Sequence, residues 1–163
     1  MQIYFDAPEF DSQLLRTLSY TYYQGADIGE CMTTAFQIKS KDFDSWYAEW
    51  ISIADRIYAL GENSLLENCF ESAKLSFLRA SNYYRTAMFF LYGSPVEQRL
   101  LDAYDKHCLA FSKAVSLFTT PVEAVQIPYQ DTHLPGYFYK ADHSSEKRPV
   151  VVISNGFDST QQE

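Results

Sequence analysis

The sequence predicts a mainly α-helical domain over residues 1–119, followed over residues 120–163 by the first strands of an α/β sheet domain: a hairpin and one strand of parallel type. Three observations predict it. Up to about Phe118 the apolar residues recur at helical spacing. After Pro121 they alternate or run continuously, as strands do. The last such run, "PVVVIS", is apolar on both faces, the mark of a strand inside a sheet covered by helices.

The helices follow in order. A first helix is expected over Ser12 to Tyr23. "GADIGE" breaks it, with Asp27 placed as an N-cap and Glu30 three residues on, a capping box that opens a short helix to about Ile38. "KSKDFDSWYAEW" opens a longer helix with one stripe of Phe43, Trp46, Tyr47, Trp50, Ile53, Ala54 and Ile57, ended by Gly61. The fourth keeps Leu66, Phe70, Ala73, Phe77, Ala80, Tyr84, Ala87 and Leu91 on one face, and Glu71, Lys74, Arg79, Asn82 and Arg85 on the other. Gly93 suits the C′ position. Ser94, Pro95 and Glu97 then read as the cap, first-turn proline and capping-box acid of a fifth helix running to about Phe118 through Leu100, Leu101, Tyr104, Phe111 and Val115.

"TTPVEAV" is the boundary. Val125, Ile127 and Tyr129 alternate with polar neighbours, "QDTH" turns, and Leu134 to Tyr139 return, which predicts a hairpin with one wetted face. "ADHSSEKR" is a polar loop. A doubly covered strand at "PVVVIS" needs parallel neighbours and covering helices, and no later elements follow in the 163 residues. The expectation is the front part of a longer protein, truncated inside its sheet.

Composition narrows the function classes. The net charge is −8 and no Lys/Arg run occurs, so neither nucleic acid nor an anionic membrane surface is an expected partner. The aromatic share of 17%, with 13 Tyr and 12 Phe, points to a core rich in large rings. Cys31, Cys69 and Cys108 are far apart and among apolar helical positions, where a thiol acts as a small hydrophobe; no metal site and no cofactor are expected. "MQIYFDAPEFDSQ" lacks the basic start and apolar core of a signal peptide, and no apolar run reaches membrane-spanning length, so a cytoplasmic location is expected.

The strand with its exit "NGFD", preceded in order by "LRASNYYRTA" and "IPYQDTHLPGYFY", resembles the α/β-hydrolases that carry an N-terminal helical domain. These include the 2,6-dihydropseudooxynicotine hydrolase type, the fermentation–respiration switch family, fungal polyketide-shortening hydrolases and proteins labelled acylaminoacyl peptidase. The resemblance runs from "GADIGE" through "SWYAEW" to the end. It implies a helical cap over a catalytic sheet and a small-molecule or acyl substrate hydrolysed by a Ser-His-acid triad. It also implies that the "NGFD" turn is the loop supplying one oxyanion-hole N–H, that of Phe157, with Gly156 allowing the sharp turn. Asn155, where many relatives carry His, and Asp158 would support the loop. No G-x-S-x-G occurs, and His107, His133 and His143 match no triad position, so the 163-residue chain alone is expected to be inactive. Read from the residues, the hydrolase assignment depends on "PVVVIS" being an inner strand.

Other residues have blander readings beside them. Asn82 and Tyr83 lie off the apolar stripe of the fourth helix and face either solvent or a substrate-lining cleft. Arg79 and Arg85 read as ion-pairing residues between cap and catalytic domain, Trp46 and Trp50 as core, His133 as exposed, and Tyr20, Tyr22 and Tyr23 as interfacial. The competing function is a helical-repeat-like protein-binding or regulatory module, because "WISIADRIYALGENSLLENCFESAKLSFLRASNYYRTA" carries the landmarks of a helical hairpin repeat; only about one unit is present where arrays need roughly three. A homodimer through the aromatic-rich helical domain is left open by the apolar area that an unfinished sheet and cap face would expose.

Overall fold

The computed structural model describes residues 2–163 and divides into two compact units, one ending at Ala114 and the other spanning Val115–Glu163. The described residues form α1 (Pro8–Ser19), α2 (Ile28–Gln37), α3 (Phe43–Leu66), α4 (Phe70–Met88) and α5 (Gln98–Val115). Short 3₁₀ turns cover Tyr20–Tyr23 and Phe89–Leu91. A hairpin of β1 (Val122–Tyr129) and β2 (Thr132–Tyr139) follows. Among the described residues no helix is long and apolar enough to cross a membrane.

α1 begins four residues before its expected start at Ser12, with Pro8 in its first turn. The cause is Asp11. Its buried carboxylate accepts the N–H groups of Ile3 (2.9 Å), Tyr4 (2.8 Å) and Phe5 (3.0 Å), tying the leading segment back across the helix. α2 opens as expected, with the Asp27 carboxylate accepting from Glu30 N at 2.9 Å.

α3 and α4 make the most extensive helix pair, and here the expected end of α3 is corrected. The helix passes through Gly61 to Leu66 and stops where Asn68 takes φ 60°, a left-handed position that Asn tolerates. Gly61 serves packing instead: a Cβ there would stand 2.7 Å from Phe77 Cε1, so α4 closes on α3 across a bare backbone. Trp46, Trp50, Ala54, Ile57 and Gly61 form the buried stripe of α3. Ala73, Phe77, Ala80, Tyr84 and Ala87 answer it on α4, whereas Leu66 and Phe70 are exposed. The rings of Phe10, Phe43 and Phe90 stack beside Trp46.

α4 is not the two-faced helix its periodicity predicts. From Ala80 to Met88 every residue is buried, including Ser81, Asn82, Tyr83, Arg85 and Thr86. It is the central helix of the unit, and its polar face is lined by partners instead of water. The fifth helix also differs from expectation: it starts at Gln98, past the predicted Ser94 cap, and Gly93 has no left-handed backbone to cap anything. It buries Ala103, His107, Ala110, Phe111 and Ala114, while Leu101 and Tyr104 are exposed.

In the second unit β1 and β2 pair antiparallel, Val125 opposite Gly136 and Ile127 opposite Leu134, with Gln130 turning at φ 48°. The face expected to be dry is open: Ile127, Tyr129 and Leu134 are all exposed. Residues 149–154 differ more sharply from the inner strand expected. They carry no strand, and Val150, Val151, Val152 and Ile153 are 66–90% exposed. An apolar run has no hydrogen-bond ladder of its own; it becomes a strand only against a neighbour, and among the described residues none pairs with it.

Candidate functional site

The turn read as an oxyanion loop lies at the end of this open segment. Phe157 and Asp158 form a turn closed by Ser159 N donating to Gly156 O at 3.3 Å and by Asn155 Nδ2 donating to Ser159 O at 3.5 Å. The Phe157 side chain is wholly exposed. Gly156 has no left-handed φ, and a Cβ on it would meet nothing nearer than Ser159 Oγ at 3.9 Å.

The chemistry-bearing side chains of the helical unit are instead gathered around α4. Tyr83, fully buried, donates its hydroxyl to Glu30 Oε2 at 2.7 Å and accepts from Asp27 N at 2.9 Å. Arg79 Nε donates to the same Glu30 oxygen at 3.0 Å. Cys31 Sγ lies 3.8 Å from the Tyr83 hydroxyl. Burial pushes the Cys31 thiol up to about 12 and the Tyr83 phenol well above its ordinary value, so neither is a nucleophile at neutral pH. Asn82 Nδ2 donates to Gly25 O at 2.9 Å and Thr17 O at 3.3 Å, holding the turn after α1 to α4.

These contacts correct the expectation that Asn82 and Tyr83 face solvent or a cleft. Their positions lie off the apolar stripe, but α1 and α2 cover them; the Tyr83 hydroxyl meets Glu30 and Asp27 N, Asn82 Nδ2 meets two backbone carbonyls, and Asn82 Oδ1 accepts from Arg85 Nη2 at 3.4 Å. Arg79 likewise pairs within the helical unit, and Arg85 is buried beneath the Tyr20 ring, 5.5 Å from its centroid. Trp46 and Trp50 are core as expected, with Trp46 Nε1 donating to Thr86 O at 2.8 Å. His133 is exposed and so is Tyr22. Cys31 is buried as expected, whereas Cys69 is exposed in the turn before α4.

One arrangement the sequence reading missed is a buried Ser–His contact. Ser81 Oγ and His107 Nδ1 are 2.8 Å apart, joining α4 to α5. It is not a nucleophile–base pair. Nδ1 also sits 2.9 Å from the carbonyl of Ser81, which only accepts, so Nδ1 carries the hydrogen. The Ser81 hydroxyl then donates to the carbonyl of His107 at 3.2 Å. A serine activated for attack must give its proton to a bare imidazole nitrogen, and here the geometry runs the other way.

Comparison with known proteins decides the family. The 20-hydroxy-prefusarin hydrolase FUS2 of Gibberella moniliformis is 39% identical over 158 residues, 94% of this chain and 38% of that protein. Hydrolase LUC6 of Fusarium sp is 39% identical over 163 residues, 98% of the chain and 39% of its own length. The alpha/beta hydrolase psoB of Aspergillus fumigatus is 32% identical over 166 residues, with 98% and 37% covered. The chain belongs to the α/β-hydrolases. It spans about two fifths of the length of these curated relatives, and so matches the N-terminal part of such a hydrolase. No family model matches the chain. Membership therefore rests on identity along nearly the whole chain and not on the "PVVVIS" segment, which the structure leaves outside any sheet. Within the α/β-hydrolases, the helical unit and the hairpin both fall in the matched region.

Proposed function

We propose that the protein containing this chain hydrolyses its substrate by serine acyl transfer, with the helical unit as a cap and the Asn155–Asp158 turn as half of the oxyanion hole. The observation that carries this reading is the 39% identity to named hydrolases over 94% of the chain. In the proposed cycle a serine passes its proton to the triad histidine and attacks the substrate carbonyl, and the oxyanion accepts from the Phe157 amide and from the amide after the nucleophile. Its collapse breaks the scissile bond and expels the leaving group, which takes up that proton, and water then attacks the acyl-enzyme to release the acid and restore the serine. Asn155 and Asp158 would hold the turn, and Gly156 would let substrate approach the main chain. Asn82 and Tyr83 would shape the cap from within instead of touching substrate. The bond class is ester, amide, thioester or activated C–C. One relative is named a 20-hydroxy-prefusarin hydrolase, so that compound is the first natural substrate to try.

The test separates the amide of residue 157 from its side chain. Phe157→Pro removes the N–H, and in the intact protein it is expected to lower kcat about 100- to 1,000-fold. Phe157→Ala keeps the N–H and is expected to hold kcat within a few-fold. Equal activity in the two variants would remove Phe157 from the oxyanion hole.

A further inference from the structure

The two compact units divide at Ala114 and Val115, and residues 116–121 lead from the end of α5 to β1. A stretch between two units is by default a flexible linker. Here the segment that returns from β2 holds it at alternate residues. Lys140 Nζ pairs with the Glu123 carboxylate, Lys140 N donates to Pro121 O at 3.0 Å, and His143 Nε2 lies 2.9 Å from Thr119 O. A carbonyl only accepts, so Nε2 carries the hydrogen and donates it. The loop presenting His143 is itself closed. Asp142 accepts from Ser144 N and from Arg148 Nη2, both at 2.8 Å, and Arg148 reaches Glu146 at 3.0 Å. At the near end of the stretch Phe118 N donates to Val115 O at 3.1 Å.

We propose that residues 140–148 are a strap, with His143 as its pin, that fastens residues 119–121 to the hairpin and confines bending between the two units to residues 115–118. The strap carries the hairpin's grip past the last strand pair, Val122 with Tyr139, by one main-chain and one side-chain contact. A hinge of a few residues sets how freely a cap opens for substrate and product. That consequence rests on the reading of the helical unit as a cap, whereas the strap rests on contacts within the second unit alone. His143 is exposed, so its side chain can be removed without opening a core, and the pin is a positioning residue with no part in bond breaking.

Limited chymotrypsin digestion of the intact protein, with cleavage sites read by mass spectrometry, tests this. Cleavage after Phe118 follows the fraction of molecules in which the stretch has lifted off. His143→Ala is expected to speed that cleavage about three- to tenfold, as loss of one hydrogen bond allows, with cleavage at the exposed Tyr22 unchanged. His143→Gln keeps a side-chain N–H donor and is expected to restore the parent rate. Arg148→Ala unfastens the loop behind the pin, so it is expected to speed the same cleavage but to add little to His143→Ala. The digestion needs no turnover, so it succeeds or fails apart from the serine chemistry. In the same variants the rate of labelling by a fluorophosphonate probe is expected to change at least about threefold. Cleavage after Phe118 that is unchanged in His143→Ala, or that rises equally at Tyr22, overturns the strap. Faster cleavage with an unchanged labelling rate overturns its control of the cap.

Discussion

The Tyr83 hydroxyl and the Glu30 carboxylate lie 2.7 Å apart inside the helical unit, and through them the middle of α4 is bolted to the N-terminus of α2. The same hydroxyl accepts from Asp27 N, the cap residue of α2. One phenol thus holds both the capping residue and the first-turn acid of a neighbouring helix.

Tyr83→Phe removes that bolt without changing shape. Asp27 N loses its acceptor and Glu30 loses one donor, so a destabilisation of about 1–3 kcal/mol is expected from urea unfolding. A change below about 0.5 kcal/mol would mean that water replaces the phenol freely.

Gly61→Ala sets two effects against each other. Helix propensity favours alanine by about 1 kcal/mol. The new Cβ would stand 2.7 and 2.9 Å from two ring atoms of Phe77, which is itself fully buried. Overpacking of this kind costs about 1–3 kcal/mol, so net destabilisation is expected in thermal unfolding. A stabilised variant would show that the ring yields.

Asp11 makes stability depend on acid. Burial opposes its charge, but the N–H groups of Tyr4, Ile3 and Phe5 outweigh burial and hold the carboxyl below its ordinary value of 3.8. The folded value is depressed, so this stabilisation is complete above the unfolded value and is lost as pH falls through the folded one. Asp11→Asn is therefore expected to be less stable than the parent at neutral pH, with the gap closing below pH 3.8. A gap that is constant with pH would contradict the hydrogen-bonded carboxylate.

His107 is expected to carry a hydrogen on Nδ1, read by ¹⁵N chemical shifts of the ring. Its role is to clamp α5 to α4, and Ser81→Ala is expected to lower stability while leaving the activity of the intact protein within a few-fold. An Nε2–H tautomer, or loss of turnover in a folded Ser81→Ala variant, would reopen the pair as chemistry.

The helices were legible because burial writes itself as periodicity. Trp46 to Ile57 and Phe77 to Ala87 repeat every three or four residues, and Asp27 announces α2 through its own side chain. The hairpin was legible from alternation. α4 was misread where polarity was taken for exposure: Asn82, Tyr83 and Arg85 are polar but enclosed. A signal was present, since residues 75–92 contain no acidic residue and only Arg79 and Arg85 as charges, too few for a wetted face. Gly61 was misread because a glycine that ends a helix and one that admits a neighbouring ring look alike in one dimension. The segment at Val150–Ile153 was legible in composition only. Whether β-branched residues make a strand depends on a partner, which lies in another part of a chain.

We propose that this chain is part of a serine acyl-transfer hydrolase. Treating the intact, folded protein with a fluorophosphonate probe and mapping the labelled peptide tests it most directly. Stoichiometric labelling at one serine in a G-x-S-x-G sequence, with Ser81 unlabelled, is the result expected. No labelling of a protein that still turns over substrate, or labelling confined to serines of these 163 residues, would contradict it.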